Sequence, residues 1–269
     1  DVHYYQQEET AARDAARMLE RWNSRLSAVL AHTLSKRKPV ILYADHPDFQ
    51  QTNVISGTLT EGTGGVTESL LDRMVMPMTG YYAETDHVLG HEGVHVFQYD
   101  IANKAEKNLN FERMPLWFVE GMAEYLSVGP EDAHTAMWLR DALQRNDLPT
   151  IDALTNSGKY FPYRYGEALW AFIGGTWGDE NVAAFFKSAL EVGIDKAAIK
   201  TIRQRLGRKD CERILKDARA ATGRGVVQHT PQHAADDQVV AAGRQSLGVV
   251  RRGAVRARVG GVVDQGDGR

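Results

Sequence analysis

The chain lacks several features that would place it in a specialised class. It has one cysteine, Cys211, so no disulfide can form within it, and this is compatible with any cellular compartment. No apolar run approaches the ~20 residues that a membrane-spanning helix needs. The formal net charge is only −3 and the pI is about 6.3. We therefore expect no transmembrane segment and no nucleic-acid partner.

What remains is the composition of an ordinary globular protein. Of the 269 residues, 43% are hydrophobic and 25% are charged, enough for one large domain or two. We find no internal repeat, no phosphate-binding glycine loop and no serine-nucleophile motif. The chemistry must therefore be sought in another pattern.

That pattern is His91-Glu92-Gly93-Val94-His95, an H-E-x-x-H sequence. Residues four apart lie on one face of a helix, so two imidazoles can bind one metal ion with Glu92 beside them. From the abundance of His and Glu, roughly 0.02 such matches are expected by chance. The surrounding residues predict a buried apolar helix, capped by Thr85 or Asp86, in which polar side chains need partners. The alternative is a pair of hydrogen-bonded core histidines.

A zinc site needs a third protein ligand, whose position separates the possible classes. One H-E-x-x-H class has Gly three residues and His six residues after the second His. Gln98 and Ile101 occupy those places, which excludes that class. The next acidic segment is Trp117-Phe-Val-Glu-Gly-Met-Ala-Glu-Tyr125. It resembles the W-x-x-E-G-x-A-E-Y segment of gluzincin metallopeptidases, the thermolysin and zinc-aminopeptidase clan, and above all the bacterial peptidase-MA-like domain.

The resemblance implies a role for each matching residue. His91, His95 and Glu120 would be the zinc ligands, and Glu92 would be the general base. Glu124, one helical turn after Glu120, would orient a ligand imidazole; the alternative is a solvated helix charge.

The same resemblance implies an oxyanion-stabilising tyrosine. Zinc aminopeptidases carry a Tyr three residues before a Gly that precedes an apolar helix, and Tyr163 stands in that position before Gly166. Tyr165 is the second candidate. Packing between helices is the alternative for either ring.

Gluzincins also have an edge strand just before this helix, and residues 63–78 occupy that place. Glu68 could anchor a free N-terminus, or it could be an exposed strand carboxylate. His87 is expected to be a hydrogen-bonding residue near the helix start rather than a ligand. Gly90 and Gly93 within the helix suggest close approach by a strand or by substrate backbone.

The remaining pattern predicts the order of elements. Helical periodicity covers 7–33, and β-rich runs ending in turn residues predict strands. A first short strand is predicted to end near Tyr5. Four more strands are predicted at 38–44, 54–59, 66–71 and 73–78. A polar loop is expected at 103–113. Further helices are predicted at 115–128, 131–145, 150–154, 164–177, 180–192, 195–206 and 209–221.

We therefore expect an α+β, zincin-like fold with zinc (Zn2+) in a cleft. Residues 1–82 would form an N-terminal mixed sheet with a long helix, and residues 83–222 a mainly helical lobe carrying the zinc site. Residues 223–269 contain seven Arg but no Phe, Tyr, Trp or Lys, which predicts a disordered or aberrant tail. Relatives often continue into a β-propeller, and nothing propeller-like is present in this sequence.

The resemblance implies a zinc metallopeptidase that hydrolyses peptide bonds in a peptide or protein substrate. The alternatives are a non-catalytic, zinc-stabilised domain that binds a peptide or partner, and a metal hydrolase of non-peptide amides. The sequence begins at Asp1 rather than Met. A cleaved signal peptide would explain this, and we expect export in a bacterium.

Overall fold

The computed structural model describes residues 1–55 and 57–198. It is an α+β protein with a small mixed sheet and a larger helical part. The strands are β1 (Val2–His3), β2 (Val40–Tyr43), β3 (Val66–Glu68) and β4 (Arg73–Pro77). The helices are α1 (Glu9–Val29), α2 (His46–Gln50), α3 (Tyr82–Lys104), α4 (Asn108–Glu112), α5 (Leu116–Val128), α6 (Ala133–Gln144), α7 (Ile151–Asn156), α8 (Pro162–Trp177) and α9 (Glu180–Val192).

The sheet has the strand order β1-β2-β4-β3. The first two pairings are parallel, and β3 joins the edge antiparallel to β4. Successive residues of β4 face opposite sides, as a strand requires. Met74 and Met76 lie in the main core, whereas Val75 packs with Phe49 and Leu59 in a small second cluster. The mixed sheet expected from the sequence is confirmed.

The long N-terminal helix is confirmed as α1, and it packs along α3. Trp22 donates a hydrogen bond from Nε1 to the carbonyl oxygen of Asp86 at 3.0 Å. Its ring lies so close to α3 that a Cβ on Gly90 would come within 2.6 Å of it. Gly90 is therefore required by a packed side chain, which corrects the expectation of an approaching backbone. Gly93 faces Leu26, where an added Cβ would be 3.4 Å away.

Helices α5 and α8 cross at two glycines. A Cβ on Gly121 would lie 2.3 Å from the carbonyl carbon of Gly166, and one on Gly166 would lie 2.1 Å from the carbonyl oxygen of Trp117. The two backbones are therefore in direct contact. Trp170, fully buried in α8, donates from Nε1 to the carbonyl oxygen of Phe118 at 2.8 Å. This crossing brings the first turn of α8 beside the acidic residues of α5.

Three predicted local structures are wrong. The described residues of 54–59 form no strand; instead Leu59 lies in irregular structure and is buried against Phe49. Helix α3 begins at Tyr82 with Tyr81 as N-cap, not at Thr85 or Asp86. Residues 103–113 are not all loop, because α3 extends to Lys104 and α4 follows. Local sequence missed these features because tertiary packing, not propensity, decides short elements.

The main apolar core contains residues from both sides of the expected division at 82/83, including Leu26, Met76, Phe97 and Phe186. Over the described part of the chain, no helix is both long and apolar enough to cross a membrane. The predicted tail at 223–269 and the helix at 209–221 lie outside the described residues, as does most of the helix at 195–206.

Candidate metal centre

Three side-chain atoms meet where α3 packs against α5. The Nε2 atoms of His91 and His95 are 3.2 Å apart, and each lies 3.1 Å from Oε2 of Glu120. A tetrahedral zinc ion bound at ~2.0–2.1 Å holds its ligand atoms about 3.3–3.4 Å apart. The triangle is thus close to the spacing that zinc requires, and the three residues could hold the ion with little movement.

Both imidazoles are oriented through their second nitrogen. Nδ1 of His91 lies 3.2 Å from Oε1 of Glu124, and Nδ1 of His95 lies 2.8 Å from Oε1 of Gln98. Gln98 is itself fixed, because its Nε2 donates to the carbonyl oxygen of Val119 at 3.0 Å. With a proton on Nδ1 of each ring, Nε2 is the nitrogen left to bind a metal ion, and both Nε2 atoms lie beside Glu120. This is the tautomer that a metal ligand needs.

The site borders solvent but is not fully exposed to it. The side chains of His91, His95 and Glu120 are 12%, 9% and 15% exposed. If these three residues bound zinc, their residual solvent access would leave room for a fourth ligand such as water, as in catalytic rather than closed structural zinc sites.

The side chain of Glu92 on α3 lies against the edge strand β3. The hydroxyl of Thr67 on β3 donates to Oε2 of Glu92 at 2.7 Å. A Cβ on Gly65 would come within 2.9 Å of Cγ of Glu92, so the chain entering β3 passes directly over this side chain. Only 6% of Glu92 is exposed. The carboxylate is therefore buried beside the histidines and held by a neutral hydroxyl donor.

The charges around His91, His95 and Glu120, which we call the His/Glu cluster, favour a bound cation. Burial alone would lower the pKa of His91, but hydrogen bonds with Glu120 and Glu124 and the nearby charge of Glu92 raise that pKa to about 10. Burial would likewise lower the pKa of His95, which the charge of Glu120 raises instead. Burial would raise the pKa of Glu120, but the two imidazoles hold it well below its usual range. Carboxylates that attract protons this strongly also attract a metal ion.

Tyr163 lies at the cluster and Tyr165 does not. The Tyr163 ring stacks on His91 with centroids 6.0 Å apart and planes at 15°. Burial and then the charge of Glu120 raise the pKa of Tyr163, so its hydroxyl stays protonated and able to donate. Tyr165 packs edge-on against Tyr160 and Trp138. Packing between helices is therefore the environment of Tyr165.

Glu124 connects the cluster to a buried ionic group that sequence reasoning missed. Nη1 of Arg164 lies 2.8 Å from Glu124, 3.2 Å from Glu167 and 3.4 Å from Asp132. Glu167 also accepts a hydrogen bond from Thr135. With a side chain only 6% exposed, Glu124 is not a solvated helix charge. The only sequence signal for Arg164 was its position next to Tyr163.

Thr67 and Gln98 were also missed. Thr67 lies in β3, and the contact between this strand and Glu92 on α3 could not be predicted from the local sequence. Gln98 stands three residues after His95, a helical spacing at which side chains can meet. That spacing was a usable signal for Gln98.

His87 forms a second possible grouping with His91 and Glu124. Its Nε2 lies 3.7 Å from Oε2 of Glu124 and has no hydrogen-bond partner in the described part of the chain. Glu124 is thus the polar group nearest to this nitrogen among the contacts found, at more than hydrogen-bonding distance. Arg164 contacts the same Glu124 oxygen, and its positive charge opposes a second cation there. The grouping with His95 and Glu120 is the better metal site.

Glu68 was expected either to anchor a substrate N-terminus or to be exposed on its strand. Its carboxylate accepts a hydrogen bond from Nε of Arg73 across the β3–β4 hairpin. The side chain is only 13% exposed, so it is not a solvated strand carboxylate. The pairing neutralises the charge that the anchoring role would use.

Comparison of the chain with family models, curated proteins and solved structures found no match. The residues of the site and their geometry are what indicate its function.

Proposed function

We propose that this chain is a zinc-dependent peptidase of the gluzincin type, with a zincin-like fold and zinc in the cleft where α3 meets α5. The observation that carries the proposal is the triangle of His91 Nε2, His95 Nε2 and Glu120 Oε2, with separations of 3.1–3.2 Å. The Nδ1 contacts to Glu124 and Gln98 support it, because they set the tautomers that metal binding needs.

His91, His95 and Glu120 would hold the zinc ion. When bound, zinc supplies a Lewis acid that polarises a carbonyl and lowers the pKa of water toward ~7. Glu92 accepts the proton as water attacks the scissile carbonyl, and it returns that proton to the leaving amine. Thr67 keeps the Glu92 carboxylate in one position through its hydroxyl.

Tyr163 supplies a hydrogen bond to the oxyanion that develops on the carbonyl oxygen. Its raised pKa keeps the proton on the hydroxyl at neutral pH. Because Tyr163 also stacks on His91, the donor is held in place before substrate binds. Preorganised donors of this kind are among the larger contributions to catalysis.

The test combines metal analysis with hydrolysis of an unbiased peptide library. Wild-type protein should bind one zinc and cleave peptides, and a chelator should abolish cleavage. Glu120→Ala should lose most of the zinc. Glu92→Gln should keep zinc and melting temperature near wild type, while hydrolysis falls by about 10²-fold or more.

The same experiment separates the alternatives. A zinc-stabilised binding domain would bind zinc and capture peptides without cleaving them. A hydrolase of non-peptide amides would cleave small acylated amines and leave the peptide library intact. Stoichiometric zinc at unchanged affinity in Glu120→Ala would remove the gluzincin assignment itself.

A further inference from the structure

Four rings form a continuous series from the metal site to the surface. His91 stacks with Tyr163 at 6.0 Å, Tyr163 stacks with Phe161 at 5.1 Å, and Phe161 contacts Trp138 at 5.6 Å. The first two pairs are nearly parallel, with interplanar angles of 15° and 22°. We call Phe161 and Trp138 the outer rings. They come from different elements, Phe161 from the N-cap of α8 and Trp138 from α6.

The outer rings are exposed although they are large and apolar. Trp138 is 40% exposed and Phe161 is 41% exposed. Met137, beside Trp138 in sequence, is also exposed. A contiguous exposed apolar patch is typical of a binding surface rather than of random surface composition. Single exposed hydrophobic residues need no such explanation, but rings in contact with one another and with an active-site tyrosine do.

The position of the outer rings relates them to the reaction. In the proposed mechanism the substrate carbonyl lies at Tyr163, and the ring of Phe161 stacks on the ring of Tyr163. An extended peptide advances about 3.3 Å per residue. Phe161 is two ring contacts from His91, so it lies within reach of a side chain about three residues or fewer from the cleaved bond.

The chemistry of the surface selects the ligand. Both outer rings are uncharged, and Arg164 in the first turn of α8 is paired with Glu124, Asp132 and Glu167. What the two outer rings themselves offer to a ligand is aromatic faces and edges. Such faces favour aromatic or large aliphatic side chains.

We propose that Phe161 and Trp138 form an apolar subsite that selects peptides with an aromatic or large aliphatic side chain near the cleaved bond. The inference rests on the proposed peptidase function and adds a specificity-determining surface to it. It predicts that the substrate preference of the enzyme resides partly in residues outside the metal cluster.

The test uses zinc-loaded full-length protein and pairs of fluorogenic peptides that differ only by Phe or Ser at one position flanking the cleaved bond. The variants are Phe161→Ala, Trp138→Ala and the double variant. Leu109→Ala is the matched control, since Leu109 is a 70% exposed apolar residue of α4 outside the ring series. Zinc content and melting temperature verify that each variant is folded.

For at least one of the positions flanking the cleaved bond, wild-type protein should cleave the peptide with Phe at a higher kcat/KM than the peptide with Ser. Phe161→Ala should lower that value about tenfold, mainly through KM, and change the Ser peptide little. Leu109→Ala should change neither. Equal losses for both peptides, or a wild type with no preference at any position, would overturn the proposal.

A binding measurement distinguishes failure of the proposed subsite from failure of the proposed peptidase function. If wild type cleaves no peptide, anisotropy measures equilibrium binding of the same labelled peptides to the zinc-loaded protein. Weaker binding of the Phe peptide alone in Phe161→Ala supports an apolar peptide-binding surface without catalysis. Binding that is equal for both peptides, or present only for oligosaccharides or lipid vesicles, overturns the proposal.

Discussion

Oε1 of Gln98 lies 2.8 Å from Nδ1 of His95, one helical turn earlier on α3. The same amide donates from Nε2 to the carbonyl oxygen of Val119 in α5, so its orientation is fixed. Gln98 is fully buried. The Gln98 side chain therefore connects α3 to α5 and sets which nitrogen of His95 faces Glu120.

Removing this contact should weaken zinc binding without removing a ligand. Gln98→Leu keeps similar volume but leaves Nδ1 of His95 without its acceptor, and the zinc dissociation constant should rise about 10–100-fold. Competition with a chromophoric chelator measures the change. Gln50→Leu is the control, because Gln50 also donates to a backbone carbonyl, that of Leu59, near the second cluster. An affinity unchanged in Gln98→Leu would show that the imidazole is oriented without the amide.

Tyr163→Phe should separate oxyanion stabilisation from metal binding. The ring that stacks on His91 remains, so zinc content and melting temperature should stay near wild type. Loss of one oxyanion donor typically costs about 10²–10³-fold in kcat. Steady-state kinetics on a cleaved peptide measure it, and Tyr165→Phe is the control because Tyr165 packs against Tyr160 and Trp138. A larger loss in Tyr165→Phe than in Tyr163→Phe would reverse the assignment of the two tyrosines.

The crossing of α5 and α8 should tolerate no side chain at its glycines. Gly166→Ala would place a Cβ 2.1 Å from the carbonyl oxygen of Trp117. The helices must separate, which should lower the free energy of unfolding by roughly 1–3 kcal/mol and displace Tyr163 from the cluster. Urea denaturation measures the first effect and peptide hydrolysis the second.

Gly175 in the same helix supplies the opposite control. A Cβ there would meet nothing within 4 Å, so Gly175→Ala should stabilise the protein by about 0.5–1 kcal/mol through backbone entropy. If both alanines changed stability alike, helix propensity rather than the close crossing would explain the result.

Asp100 should make stability depend on pH at the acidic end. It accepts hydrogen bonds from Lys38, Ser35 and His32 and is almost fully buried. Burial would raise the pKa of Asp100, but these donors hold it well below its ordinary value of 3.8. The folded state therefore binds this proton less readily than the unfolded state. The resulting stability is present above about pH 4 and is lost as pH falls through the folded pKa.

Asp100→Asn should cost roughly 1.5–3 kcal/mol at pH 7, because it removes the charged acceptor of Lys38, Ser35 and His32, while Lys38 keeps its ion pair with Asp72. The difference from wild type should shrink below about pH 4. Urea denaturation at pH 7 and pH 3, with chelator in both, measures it. A difference that stays constant with pH would mean that the Asp100 charge does not stabilise the fold.

The sequence alone determined the features of this protein that follow the period of a helix or a strand. The H-E-x-x-H spacing put His91 and His95 on one helix face, and the acidic segment beginning at Trp117 identified Glu120 and Glu124 through a family resemblance. Period-two alternation of the methionines in β4 and the apolar stripe of α1 predicted real elements. These features succeed because helix and strand periods are properties of the backbone itself.

Only the tertiary structure decided what depends on contacts distant in sequence. Trp22 explains Gly90, Thr67 reaches Glu92 from the edge strand, and Arg164 joins Glu124 across the α5–α8 crossing. The choice between Tyr163 and Tyr165 also required it, because residues two apart on a helix point in directions about 200° apart. Which of them faces His91 follows from how closely Gly121 and Gly166 let two backbones approach, and no local pattern encodes that distance.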